Sequence, residues 1–299
     1  MKQKGYALLL FLLVIVGTVS TYVLIDAKNA LFSIVNNKST EQSKKMGLIK
    51  SRLLNYAISI PELYSTDTNN NPYPSNRIPA PGYLPCPDTN GDGAMNAPCG
   101  QGAGFAIGRL PIKISSRNFT FLNVSPTTDN TIFYVVDSRY VIQNSDFNNP
   151  PVQRYAPLNG STPTQANLTL NSQNDFVVII FDGGQSLSGQ TRVNNLVLNY
   201  LDGENSDGDA DFISGLESEV FNDKVVGITR NEWLAAVRKR IKPQKNSLCA
   251  LPSTDSHWFN TCHNDDGGGG TQCPDDGDGT TTSNPVGSNW RNDVQIGCP

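Results

Sequence analysis

The first sixty residues constrain this chain more than any other stretch. Met1-Lys2-Gln3-Lys4-Gly5 is a short basic leader, and the twenty residues from Tyr6 to Ile25 contain no charged side chain and no proline. A helix rises about 1.5 Å per residue, so a run of that length covers ~30 Å, the thickness of a bilayer's hydrocarbon core. Lys2 and Lys4 favour a cytoplasmic N-terminus. The run therefore predicts a transmembrane helix over 6–25.

The residues after the apolar run separate a retained helix from a cleaved secretory signal. A signal has a shorter apolar core, a small-residue cleavage site and then a mature domain of unrelated pattern. Here Met46, Ile49, Leu53, Leu54, Ala57 and Ile60 recur at spacings of three and four and draw one apolar stripe on a helix. Glu41 and Lys45 stand four apart in the favoured order, which adds a few tenths of a kcal/mol. Pro61 is the first proline in the chain and marks the expected stop. The polar run Asn36-Asn37-Lys38-Ser39-Thr40 is the one place where the rod could break.

A leader ending in Lys4-Gly5, an aromatic at Tyr6, a long apolar helix and an amphipathic extension together resemble the N-terminus of type IV pilins and type II secretion pseudopilins. The resemblance implies processing by a prepilin peptidase between Gly5 and Tyr6, with methylation of the new N-terminus. It also implies a helix 6–60 that sits in the bacterial inner membrane before assembly and then in the core of a periplasmic or extracellular filament. One departure is plain: the glutamate that most pilins carry four residues after the first mature residue falls on Leu10. A second block, Gly82-Tyr83-Leu84-Pro85-Cys86-Pro87-Asp88-Thr89-Asn90-Gly91-Asp92-Gly93 with Cys99 and Gly108-Arg109-Leu110-Pro111 after it, is similar to a signature of large pilin-like proteins of proteobacteria.

Removing the leader takes two lysines from 23 basic residues, so the mature chain carries 21 against 27 acidic ones, or -6. That balance argues against nucleic acid as a partner. All six cysteines, Cys86, Cys99, Cys249, Cys262, Cys273 and Cys298, lie beyond the apolar run. With a cytoplasmic N-terminus they face an oxidising compartment, where an even count reads as disulfides. A zinc site would have to recruit His257 and His263 near Cys262, and no Cys-x-x-Cys pair exists. We expect Cys86 and Cys99 to close a loop of 14 residues; the other four allow three pairings.

Residues 61–242 predict a pilin-like α+β domain, with the long N-terminal helix packed on a small antiparallel sheet. Pro61 to Gly108 is rich in Pro, Gly and Asn and predicts irregular surface structure. Thr131 to Asp137, Phe176 to Phe181 and Val225 to Ile228 read as strands, and Asn118 to Val124 as a weaker fourth. Thr229-Arg230-Asn231-Glu232 has capping-box spacing, so a helix should run from Arg230 to about Ile241 and end before Pro243. Residues 243–299 are of low complexity, with an unbroken glycine run at Gly267 to Gly270 and four of the six cysteines.

Two acidic loops are candidate calcium sites. In Asp202-Gly203-Glu204-Asn205-Ser206-Asp207-Gly208-Asp209-Ala210-Asp211, the residues Asp202, Glu204, Asp207, Asp209 and Asp211 crowd together. Carboxylates that close repel unless a cation neutralises them; the alternative is a solvated acidic turn. Asp88, Asn90 and Asp92 alternate before Gly93 as in the first half of an EF-hand loop, but position twelve is Cys99 rather than glutamate. An Asx-rich turn held by its own side chains explains that spacing equally well.

Catalytic chemistry finds little support. His257 and His263 are the only histidines, Gly184-Gln185-Ser186-Leu187-Ser188 fails the nucleophile-elbow spacing, and there is no phosphate-binding loop. The chain reads as a non-enzymatic minor pilin or pseudopilin subunit whose partners are other such subunits and the prepilin peptidase. In the family that the leader resembles, this glutamate is drawn to the N-terminal amine of the subunit already in place, because an unpaired charge in a bilayer is costly. The resemblance therefore implies for Leu10 a place at or near the filament tip, the alternative being a tolerated apolar residue in a shaft subunit that enters by packing alone. The alternative is a signal-anchored periplasmic or surface ligand-binding protein.

Overall fold

Ten residues, Gln173–Asp182, form the longest strand of the described structure and the one on which the rest is hung. A computed structural model of the chain describes residues 16, 40–63, 81–96, 99–100, 104–114, 119–120, 132–141, 168–192 and 196–250. It divides into two compact units, Met1–Met46 and Gly47–Pro299. In the first, Val16 is helical and exposed, and 40–46 begin a helical run, α1, that spans 40–58.

The second unit holds the sheet. Its strands are β1 (Phe105–Arg109), β4 (Ile132–Asp137), β5 (Leu168–Leu170), β6 (Gln173–Asp182), β7 (Asp211–Phe212) and β8 (Lys224–Thr229); β2 (Lys113–Ile114) and β3 (Phe119–Thr120) form a separate ribbon. β6 pairs antiparallel with β4 and β8 along its C-terminal half and with β5 at its N-terminal end. The β5–β6 hairpin turns through Asn171 and Ser172, both at positive φ (52° and 62°), the twist that a two-residue hairpin requires. β1 pairs antiparallel with β4, whereas β7 runs parallel to β5.

Because side chains alternate along a strand, the sheet has two apolar faces. On one, Phe133, Val135, Ile179 and Phe181 pack with Leu168, Leu170 and Phe176 under Val197, Leu201 and Phe212, which come from the segment between β6 and β8. On the other, Tyr134, Val136, Val178 and Ile180 are equally buried. Helix α3 (Arg230–Ile241) packs against β6 and β8, and its buried Trp233, Leu234, Val237 and Ile241 stand apart from the first cluster, so they cover this second face. Burial from both sides is why β4 and β6 read as near-continuous apolar runs rather than alternating ones.

Thr229 and Glu232 form the full capping box at the start of α3. Three more elements follow from local sequence: a short α2 (Ile60–Leu63), a 3-10 turn Lys242–Gln244 carrying Pro243, and α4 (Lys245–Cys249). In α1 the stripe Met46, Ile49, Leu53 and Ala57 is buried as its spacing implies and continues to the buried Ile60 of α2; Leu54 is half-buried, and Tyr56 is fully buried in addition. Trp233 Nε1 donates to the Gly82 carbonyl (2.8 Å), and its indole meets the Tyr140 ring edge-on with centroids 5.1 Å apart.

Two expectations need correction. The sheet is curled and mixed rather than antiparallel, since β7 joins it in parallel, and among the described residues no long apolar helix packs on it. The described helical run α1 is amphipathic, with Glu41, Lys44, Lys45, Lys50 and Arg52 outside its apolar stripe. Among the described residues no helix is long and apolar enough to cross a membrane, so the single-pass inner-membrane placement with its cytoplasmic N-terminus is not sustained. The predicted span 6–25, apart from Val16, lies outside the described residues. Within 61–108, read as irregular, Phe105–Arg109 is a strand, and the weak strand 118–124 is described only at Phe119–Thr120.

Candidate functional site

The segment between β6 and β8 lays an acidic loop layer over one face of the sheet. Its framework is a set of side chain to backbone bonds centred on Arg192, the only basic residue between Arg154 and Lys224. Arg192 Nη1 donates to the Gly184 carbonyl (2.9 Å), Nη2 to that of Gly183 (2.6 Å), and Nε to Gln190 Oε1 (2.9 Å). Its guanidinium also lies 5.3 Å from the Tyr200 ring centroid, while Arg109 lies 4.9 Å from the same ring. Tyr200 therefore contacts two cations: Arg192 from within the layer, and Arg109, through which it ties the layer to β1.

Two buried carboxylates complete the framework. Asp202 Oδ2 accepts the Asn222 N–H (2.8 Å), and Oδ1 accepts from Gln190 Nε2 (3.2 Å). Asp223 Oδ2 accepts the Asp202 N–H (2.9 Å) and Asn205 Nδ2 (2.9 Å). Its other oxygen, Oδ1, is buried with no hydrogen-bond partner among the described residues. Burial pushes the Asp223 carboxyl up to about 6; the hydrogen bonds from Asn205 and Asp202 oppose the shift, the negative charge of Asp202 adds to it, and Arg192 offsets part.

Of the five carboxylates predicted to gather around calcium, the structure brings three together. Glu204, Asp207 and Asp209 place carboxylate oxygens within 4.8 Å of one another, all at the surface. Asp202 is turned inward on Asn222 and Gln190, and Asp211 accepts the Thr169 hydroxyl across the β5–β7 pair. Asp207 and Asp209 each spend one oxygen on a backbone N–H two residues ahead, at 3.1 and 2.8 Å, which leaves each a second one to face a cation. One oxygen from each of three carboxylates is at most half of the six to eight that calcium takes, so water would have to supply the rest.

The Asp88 loop is built differently. Asp88 is buried, and its two oxygens accept the N–H groups of Gly91 (2.6 Å) and Gly93 (2.8 Å), two glycines at positive φ. Asp92 accepts from Ala94 N–H and from Asn90 Nδ2, and Asn90 Oδ1 accepts the Asp92 N–H. These oxygens hold the turn itself, which is the Asx-turn reading of the spacing. Cys86 and Cys99 are joined by a disulfide with Cα atoms 5.8 Å apart. The loop then lies on β1, where Asp88 and Arg109 form an isolated antiparallel bridge. A Cβ on Gly108 would stand 2.7 Å from the Asp88 carbonyl oxygen, so only glycine allows that approach.

Cys249 is also disulfide-bonded. Gly5, Tyr6, Leu10, Cys262, Cys273 and Cys298 lie outside the described residues. Sequence reasoning missed Arg192, Asn205 and Asp223. Arg192 had a signal, its isolation in a long stretch without other basic residues; Asp223 had none, since nothing local marks it as buried. Comparison of the chain with protein-family models, with curated proteins and with solved structures finds no match.

Proposed function

We propose that this chain is a structural subunit of a pilin-like filament, of the type IV pilus or type II secretion pseudopilus class. One observation carries the reading. The two sequence regions that resemble pilin-like proteins, the amphipathic helix and the cysteine loop, are joined at Gly82, whose N–H donates to the Ala57 carbonyl (2.7 Å) and whose carbonyl accepts from Trp233. Helix end, signature loop and α3 thus meet at one residue, an arrangement suited to a domain that must not shift on its helix when loaded.

The test is mass spectrometry of filaments sheared from the producing cells. A peptide beginning at N-methylated Tyr6, recovered in the sheared fraction, supports the proposal. A chain with intact Met1 found only outside filaments overturns it. A second reading, a ligand-binding surface protein, is favoured by the convergence of Glu204, Asp207 and Asp209; it gains if the chain stays outside filaments and binds calcium.

A further inference from the structure

The two sides of the sheet carry opposite charge. From Leu196 to Asp223, the layer on one face, there are eight acidic residues and no basic one; Asp202 and Asp223 are buried, and the six that are exposed are Glu204, Asp207, Asp209, Asp211, Glu217 and Glu219. From Arg230 to Cys249, the α3–α4 segment on the other, there are six basic residues (Arg230, Arg238, Lys239, Arg240, Lys242, Lys245) and one acid, Glu232. Glu232 is already paired with Lys50 (2.6 Å).

The acidic face also presents apolar side chains. Residues 213–220 are all exposed, and among them Leu216 is 92% and Val220 77% exposed, with Ile213 and Leu198 at 39% each. This loop is held in shape. Asn171 exchanges two hydrogen bonds with Ser214 (2.7 and 2.8 Å), Ser218 N–H donates to the Phe221 carbonyl (2.7 Å), and Glu217 pairs with Lys224 (3.5 Å). Apolar groups on an ordered loop lose little conformational entropy on docking. An apolar centre within a charged rim is the composition of a protein interface.

We infer that the acidic 196–223 face of one copy docks on the basic α3–α4 face of a second copy. The surface chemistry argues this by itself, while its place in an assembly rests on the filament reading. Because the two faces lie on opposite sides of one sheet, the contact is heterologous: each copy keeps one face open, and copies add head to tail. Leu216 and Val220 supply the apolar centre, Asp207, Asp209 and Glu219 meet Lys239, Lys242 and Lys245 around it, and salt weakens the contact.

The experiment is sedimentation velocity of the full chain with two surface variants, one carrying Leu216→Lys and Glu219→Lys, the other Lys239→Glu and Lys242→Glu. Wild type should form oligomers that grow with concentration, with an apparent Kd at least tenfold weaker in 500 mM than in 50 mM salt. Each variant alone should stay monomeric. Their equimolar mixture should give a one-to-one dimer and nothing larger, since only one intact acidic face and one intact basic face remain. A wild type that is monomeric at every concentration, a mixture without the dimer, or single variants that associate like wild type would overturn the proposal. The sheared-filament experiment reads the filament assignment separately, so loss of this contact with Tyr6-started chain still in filaments sinks only the docking.

Discussion

Lys50 and Glu232 stand 182 positions apart and meet at 2.6 Å, while the same ammonium donates to the Gly227 carbonyl at 2.8 Å. One side chain of α1 thereby reaches both the last strand and the first turn of α3. Burial alone would raise the Glu232 carboxyl, but the hydrogen bonds and charge of Lys50 and the Thr229 donors outweigh it and hold the group below its ordinary range.

Replacing Lys50 by methionine should lower stability by about 1–2 kcal/mol, chiefly because the part-buried Gly227 carbonyl loses its charged donor. Glu232 is partly exposed, so its ion pair adds little to that figure. A carboxyl with a lowered folded pKa stabilises above its unfolded pKa and loses that contribution as pH falls through the folded one. Urea melts at pH 7 and pH 3 should therefore show a smaller Lys50→Met penalty at pH 3; an equal penalty at both would remove Glu232 from the account.

Asp223 predicts the reverse pH dependence. Its folded pKa of about 6 lies above the unfolded value of 3.8, so the folded state holds an extra proton between those limits. Stability from this group is complete below the unfolded pKa and is lost as pH rises through 6, up to roughly 3 kcal/mol in all. Asp223→Asn removes the charge and keeps an acceptor for Asp202 N–H. It should flatten stability between pH 4 and 6 and stabilise the protein at pH 7; a variant less stable than wild type at pH 7 would contradict this.

Breaking the Cys86–Cys99 bond by a double serine substitution should cost ~3 kcal/mol, the chain-entropy value for a loop of this length. The loss should concentrate on the Asp88 turn. Amide exchange at Gly91 and Gly93, whose N–H groups rest on Asp88, is the local readout. Protection unchanged there while global stability falls would show that the Asx turn holds without the covalent tie.

Calcium at ten times its Kd should stabilise the protein by about 1.4 kcal/mol, a rise of roughly 2–4 °C in Tm, through Glu204, Asp207 and Asp209. Asp207→Asn with Asp209→Asn should abolish the rise. Asp88→Asn should lower Tm yet leave the calcium response intact, because the Asp88 oxygens serve backbone N–H groups. Differential scanning fluorimetry with and without chelator separates the cases, and an unmoved wild-type melt returns the cluster to a solvated turn.

The parts of the fold legible in the sequence came from strong local patterns. The Thr229 to Ile241 helix came out with its capping box, and the buried stripe of α1 from its spacing, because both signals lie within a few residues of each other. Strands β4, β6 and β8 were visible for the same reason, as runs of β-branched and aromatic residues. Phe105–Arg109 was not, since its alanine and glycine have no strand preference and its pairing with β4 supplies the order. Asp211–Phe212 is two residues set by β5 across a gap of some forty positions, and its parallel direction made the sheet mixed.

The acidic loop shows the same limit. Alternating aspartates suggested five ligands, but alternation describes an extended segment, and here the chain turns through a 3-10 helix at Gly203–Ser206 that sends Asp202 inward and leaves Glu204 out. Which carboxylate is buried depends on Gln190, Asn222 and Asp223. None of these could be placed next to Asp202 without the fold.

The central position of β6 also dictates an order of events during synthesis. Its partners β4, β5 and β8 lie on both sides of it in the chain, and β8 ends only at Thr229. A ribosome that has released the first two hundred residues has made a strand with one flank empty and Tyr134, Val136, Val178 and Ile180 still without α3 above them. Such a nascent chain exposes an adhesive edge and an oily face together. Natural truncations short of Ile241 should therefore be destroyed rather than accumulate, and the chain has reason to stay unfolded until nearly all of it has emerged.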